Sequence, residues 1–314
     1  MSTTQTWVEV PFKPLKEQAG MRLDAFLAAR LHKYSRAQVQ AVIGEGRVYL
    51  RGRPAKPSAR VADGETVLIR YPRTVEPPVP HETMPILYQD ERLVVINKPG
   101  GTLSHPTDKV HHNTVTYLLS RQLGRPVHLA HRLDRETSGV LLLALDAAAA
   151  RDIHGQFLAH AVKKEYLAVV LGAVDWAEKT VDAPIGDEGG VIKVRRAVGV
   201  AGGDDAVTDF RRLAGDGRFT LLSAKPRTGR LHQIRAHLAS IGHPIAGDKL
   251  YHGNGEVYLK AVDKRLEPAD LAALGAERQL LHAWRLSFQH PEDGRPLRFE
   301  APVPVDFPLR PERA

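Results

Sequence analysis

The stretch HRLDRETSGVLLLA, residues 131–144, sets a single aspartate, Asp134, between Arg132 and Arg135 just ahead of an apolar run. Neighbouring positive charge favours the ionised carboxylate and keeps it charged well below neutral pH. Such a group can serve as a nucleophile or as a base. The run 140–144 has the composition of a buried strand, so the spacing predicts Asp134 in a loop held by a rigid element, a common address for catalytic groups. A surface ion pair at a turn would use the same residues, and this stretch alone does not choose between the two.

A second cluster, RTGRLHQIRAHLASIGHPIAGDKLYHG, runs from Arg227 to Gly253. Its periodicity predicts a helix from about Arg230 to Ile241, stopped by Gly242. Leu231, Ile234 and Leu238 would share its apolar face, with His232 and Arg235 on another side. An arginine on a packed helix is a rigid fork of donors suited to a carboxylate or a phosphate. The spacing is equally compatible with a solvated helix face.

Other chemistries are excluded or disfavoured. The chain has no cysteine, which removes thiolate nucleophiles and cysteine-held metal centres. There is no GxxxxGK[ST], HExxH or GxSxG, and GNG at 253–255 does not complete GxGxxG. His128 and His131, and His232 and His237, lack a third ligand at metal-site spacing, so they read as loop polarity or RNA contacts. At 43% hydrophobic and 25% charged the 314 residues can build a full core, in one domain or two. A net charge of +8 and a pI near 9.7 favour a polyanionic partner. No apolar run approaches the roughly 20 residues of a membrane span, and MSTTQTWVEVPFKPLKEQ lacks the features of a secretion signal. The expectation is a cytoplasmic protein with no membrane partner.

The elements that must position these groups divide the chain. Residues 1–20 read as an N-terminal tail and 21–72 as a small module. Between Gly20 and Pro72 ten lysines and arginines face four acids, a net of +6 in one sixth of the chain. RLDAFLAARL predicts one helix, and a second starts at the N-cap Ser35 and ends at Gly44. GRVYLRGRP and ETVLIRYP read as short strands. Pro77, Pro78 and Pro80 make 73–82 a stiff linker. From 83 to 307 strands dominate, in ERLVVINKP, GVLLLA, EYLAVVLG, VTDFRRLA, RFTLLSAKP, LLHAWRLSF and PLRFEAP, with a hairpin turn at Gly215-Asp216-Gly217. Helices are expected near Thr114–Leu123 and from Asp146 to about Val162, besides the one at Arg230, and 308–314 reads as a C-terminal tail. The larger domain is therefore expected to be α+β, a mainly antiparallel mixed sheet with flanking helices.

Both clusters resemble the RluA-type pseudouridine synthases, whose motifs are HRLDxxTSGxxxxA and GRxHQIRxHxxxxGxPIxGDxxYG. The likeness extends to ERLVVINKPGGTLSHP, KKEYLAVVLG and LLHAWRLSFQHPEDGRPLRFEAPVP. Residues 21–72 resemble the RNA-binding module of ribosomal protein S-four, through RLDAFL, SRAQVQAVI, GRVYLRGRPAKPS and DGETVLI.

The resemblance implies an isomerase that breaks the ribose–uracil N1 bond, turns the base and rejoins it through C5, with no cofactor and no metal. It implies Asp134 as the one catalytic carboxylate, Arg235 as its partner, and Tyr166 against the target base. Arg132 would fill the gap left by the flipped uridine, and His131, Arg230 and His232 would contact the substrate. Lys98 and Pro99 would shape a nearby loop, and Glu136 is a weak second carboxylate. Leu231 departs from the family, which commonly has a small hydroxyl residue there. The implied partner is RNA, foremost large-subunit ribosomal RNA, free or in a pre-ribosomal particle, acted on by a monomer. Transfer RNA is the alternative substrate, and a non-catalytic ribosome-assembly factor is the rival of another class.

Overall fold

The computed structural model describes residues 7–31, 34–72, 81–107 and 110–311, in two compact units, Met1–Val75 and Glu76–Ala314. The proline-rich segment 73–80 lies outside the described residues.

In the small unit, β1 (Trp7–Phe12), β4 (Val67–Pro72), β2 (Val48–Leu50) and β3 (Arg53–Pro54) form an antiparallel sheet in that order. Helices α1 (Leu23–Arg30) and α2 (Arg36–Gly44) bury Leu23, Phe26, Leu27, Val39 and Ile43 in one core with Val48, Val67 and Ile69. Helix α2 begins as its sequence predicts: Ser35 Oγ accepts from Gln38 N at 3.3 Å and the Gln38 side chain accepts from Ser35 N at 2.7 Å. The segment expected to be a tail is different, since residues 7–12 pair along the whole of β4. Its side chains are mostly exposed, so it is an edge strand held by backbone hydrogen bonds and leaves little apolar alternation to read.

The larger unit is built on a ten-stranded sheet. Its path runs β10 (Glu178–Asp182), β13 (Val207–Gly215), β14 (Phe219–Pro226), β9 (Lys163–Leu171), β15 (Leu281–Gln289), β8 (Ser138–Ala144), β6 (Leu93–Lys98) and β5 (Ile86–Gln89). Strand β16 (Pro296–Glu300) also pairs with β15, and β7 (His128–Leu129) with β8. All these pairs are antiparallel except β8 with β15. A two-stranded ribbon, β11 (Ile185–Asp187) with β12 (Arg196–Val198), stands apart. The helices are α3 (Val115–Leu123), α4 (Ala147–Leu158), α5 (Gln233–Ser240), α6 (Glu256–Val262) and α7 (Pro268–Leu274). The architecture is the expected α+β, with every residue of β8 buried.

The parallel pair explains the glycine that follows the aspartate motif. Gly139 faces Ala283 across it with φ +110°, and a Cβ there would lie 2.1 Å from Ala283 O. No side chain fits, and L residues rarely adopt this backbone. The close approach pins the start of β8, and with it the loop that carries Asp134, to the middle of the sheet.

Three helix expectations need correction. Helix α4 is capped by Asp146 as predicted but ends at Leu158, four residues before Val162. Helix α5 begins at Gln233 and not at Arg230. Helices α6 and α7 have no counterpart among the expected elements; each has seven residues and at most one buried, too little for an apolar stripe.

Candidate active site

Asp134 sits in the loop between β7 and β8, its side chain 26% exposed toward a cavity of about 290 Å³. Its Oδ2 accepts from Arg235 Nη1 at 2.7 Å. The other nitrogens of that guanidinium are committed elsewhere: Nε donates to Asp248 Oδ2 at 2.7 Å and Nη2 to Asp248 Oδ1 at 2.9 Å. Asp248 is buried and also accepts from the backbone N–H groups of Leu250 (3.0 Å) and Tyr251 (3.2 Å). The fork of Arg235 therefore grips Asp248, leaving a single prong for Asp134. Arg235 is thus the partner of Asp134 through one nitrogen only, and Asp248, which the second motif contains without a role assigned to it, holds the rest of its fork.

Asp248 is placed by a second tight glycine. Gly247, at φ +80°, would put a Cβ 1.8 Å from Arg278 O, so the chain turns there against the 276–278 backbone.

Burial works against the charge on Asp134, but the Arg235 guanidinium outweighs it, with help from His232 and the Gln279 side chain, and holds the carboxyl below the usual carboxylate range. Burial likewise opposes the charge on Arg235, and Asp248 and Asp134 more than restore it. Asp134 is thus an ionised carboxylate with lone pairs still open to the cavity.

The cavity gathers all seven residues singled out from the sequence, His131, Arg132, Asp134, Tyr166, Arg230, His232 and Arg235. They are not equivalent. Tyr166, on β9, has its hydroxyl unpartnered among the described residues, and burial followed by the charge of Asp134 raises its pKa. Arg132 is exposed at the rim and makes no hydrogen bond or ion pair among the described residues. Arg230 is tied to its own wall through Nε to Asp205 O at 3.0 Å.

His131 is a neutral wall. Its Nε2 accepts from Leu142 N at 3.2 Å, its ring lies 4.8 Å from Phe157, and burial, then Lys164, pull its pKa down to about 3. His232 lies outside α5, at φ 58° and ψ 17°, a left-handed backbone costly for a residue with a Cβ. It does not share a helix face with Arg235 as expected. That geometry sets its Nδ1 3.3 Å from Tyr251 Oη and its Nε2 3.9 Å from Asp134 Oδ2, beyond hydrogen-bond reach. Burial and Arg235 lower its pKa to about 4, so it is neutral at pH 7.

Leu231 precedes the helix, and the turn is closed without a hydroxyl at 231. Gln233 Oε1 accepts from Thr228 Oγ1 at 2.8 Å and from Arg230 N at 2.9 Å.

Two charged neighbours lie outside the cavity lining. Lys98 is fully buried, and its ammonium donates to the carbonyls of Pro99 (3.0 Å), Thr102 (2.7 Å) and Arg135 (3.0 Å), tying the 99–102 loop to the residue after Asp134. Burial lowers its pKa to about 7. Glu136 is not a second catalytic carboxylate: it accepts from Lys249 Nζ at 3.0 Å and Gln279 N at 3.0 Å and does not line the cavity.

Comparison with known proteins places these features. Residues 92–240 match the RNA pseudouridylate synthase family, and residues 21–67 match the S4 domain. The ribosomal large subunit pseudouridine synthase D of Nitrosomonas europaea is 36% identical over 92% of this chain and 83% of its own. The ribosomal large subunit pseudouridine synthase C of Vibrio cholerae is 33% identical over 92% of this chain and 91% of its own. Among solved structures, human RNA Pseudouridylate Synthase Domain Containing 4 covers 70% of this chain and 89% of its own at 30% identity, with a TM-score of 0.55.

Proposed function

The chain belongs to the RNA pseudouridylate synthase family, in its RluA branch, and is an RNA pseudouridine synthase; from that premise we propose that it isomerises uridines of large-subunit ribosomal RNA, with Asp134 as the one reacting carboxylate and no cofactor. The observation that carries this reading is the asymmetric pairing of Asp134. Arg235 keeps it ionised and aimed, yet is itself gripped by Asp248, so one side of the carboxylate stays free for the sugar. Among the described residues no other carboxylate lines the cavity. That suits an isomerisation and not a glycoside hydrolysis, which calls for two opposed carboxylates and an admitted water.

In this reading Asp134 either attacks C1′ or takes the proton from C2′. The C1′–N1 bond breaks, the base turns against Tyr166, and C5 bonds to C1′ as Asp134 leaves C1′ or returns its proton to C2′; the C5 proton is then lost and N1 gains one. The atoms balance without oxidant or reductant. Arg132, unpaired at the rim, occupies the space left by the flipped nucleotide, whose extrusion costs a few kcal/mol of unstacking. His131, Arg230 and His232 frame the substrate. The ribosomal target is supported by the names of the similar enzymes; transfer RNA is the competing substrate, and a monomer is part of the proposal.

The test is Asp134→Asn, which keeps size and hydrogen bonding while removing the charge. Single-turnover conversion of uridine should vanish while folding and RNA binding persist. Near-wild-type conversion by the folded variant would overturn the assignment, and pseudouridine mapping in cells with and without the gene decides the RNA.

A further inference from the structure

One charged wall of the cavity is left without a role by the scheme above. Lys164 precedes Tyr166 by two residues on β9, so both side chains leave the same face of the sheet, and both line the cavity. The Lys164 ammonium makes one hydrogen bond, 3.0 Å to Thr228 O. No carboxylate pairs with it among the described residues, and burial alone lowers its pKa. An ammonium has three donors, so two remain for a ligand. Its field reaches across the cavity, where it helps keep His131 neutral. A half-buried cation without a counter-charge is costly, and substrate binding is where such a charge finds its partner.

The reaction supplies that partner. If Asp134 attacks C1′, a C1′–O bond forms and the C1′–N1 electron pair leaves on the base. If Asp134 takes the C2′ proton, a C1′–C2′ double bond forms and the same pair leaves on the base. By either route the intermediate is a uracil anion, with charge spread over N1 and the carbonyl oxygens, and it must stay in the cavity while it turns. We propose that Lys164 is a further catalytic residue, whose free donors hold the uracil anion between cleavage of its N1 bond and formation of its C5 bond. The proposal rests on the isomerase reading given above. Preorganised donors aimed at developing negative charge are among the largest contributors to catalysis, and removal of one typically costs about 10²–10³-fold.

Lys164→Met keeps the apolar stem and removes the donors. At saturating RNA its single-turnover rate should fall about 100-fold, with RNA affinity and thermal unfolding close to wild type, and Lys164→Arg should recover a large part of the loss. On RNA carrying 5-fluorouridine at the target, whose base leaves as a more stable anion but has no C5 proton to lose, Lys164→Met should slow cleavage of the C1′–N1 bond less than it does on uridine. An unchanged saturating rate with weakened affinity would overturn the proposal and make Lys164 a phosphate contact. Equal losses on both bases, or a loss that follows unfolding and is not recovered by arginine, would overturn it in favour of a structural tie to Thr228. Wild-type turnover of the same RNA, and its disappearance in Asp134→Asn, report separately on the reading beneath.

Discussion

Each unit of this protein buries an aspartate among arginines, and the two arrangements differ in a way that separates structure from chemistry. In the small unit Asp24 is fully buried and saturated. It accepts from Arg22 Nε (3.2 Å) and Nη2 (3.1 Å), from Arg36 Nη2 (3.1 Å), and from Gln40 Nε2 (2.7 Å). Its arginines stay about half exposed, 45% and 53%, so the carboxylate acts inward and its partners face solvent. In the larger unit the order is reversed. Arg235 is buried between two acids, Asp248 is saturated, and Asp134 alone keeps free lone pairs beside a cavity. A carboxylate with all its acceptor sites filled organises its surroundings; one held by a single prong can react.

The contrast is broken most strongly at Asp134, where asparagine should lower the single-turnover rate by about 10³-fold or more while leaving unfolding nearly unchanged. Asp248→Asn should come next. Arg235 then loses its grip and its second counter-charge, and the rate should fall about 10²-fold with a detectable loss of stability. Arg235→Lys should behave similarly, since an ammonium cannot serve both acids in the observed geometry; a wild-type rate for either variant would remove Asp248 from the positioning of Asp134.

Asp24→Asn should instead leave the saturated rate intact and destabilise the small unit by about 2 kcal/mol, read by chemical denaturation. The hydrogen bond from Arg22 outweighs burial and, with Gln40 and Arg36, depresses the Asp24 pKa in the folded chain. Its stabilisation is therefore fully present above the unfolded value of about 3.9 and is lost as pH falls through the folded one. The gap between wild type and Asp24→Asn should hold from pH 7 to about pH 5 and narrow only in stronger acid.

The smallest effect expected is at Asp134 itself in mild acid. Because its pKa is also depressed, the single-turnover rate should show no acid limb from this group between pH 8 and about pH 5. An acid limb near pH 6 that is absent from a His232→Gln variant would shift that ionisation to the histidine.

Much of this architecture is legible in the amino-acid sequence alone. The apolar run after Asp134 is β8, the caps at Ser35 and Asp146 are real, and Gly215-Asp216-Gly217 closes a hairpin, because each of these is set by local chemistry. Tertiary pairing is harder to read. Strand β1 is exposed and short, so nothing in its pattern announces its partner sixty residues away. The left-handed backbone at His232 cuts α5 short, although the apolar period runs on through Leu231. Asp248 lies in plain view within IAGDKLY, a fixed position of the second motif, but its place in the sequence does not announce its contact with Arg235. Its role exists only because the chain folds Arg235 against it, thirteen positions earlier. Glu136 looks available in the sequence for the converse reason, as its lysine lies 113 residues further along.

The pairing of Gly139 with Ala283 also governs when the enzyme can come into being. Strand β15 lies in the middle of the sheet, between β9 and β8, yet is nearly the last element to be synthesised. During translation the halves of the sheet must wait, each with an uncovered edge, until residues 281–289 have left the ribosome and can bridge them. Closing a contact over about 140 residues is slow in entropic terms, and waiting edges are prone to misassembly. Nascent chains arrested before Leu281 should hold the Asp134 loop unfixed and be cut readily by protease, whereas release of the full chain should bring protection and activity together.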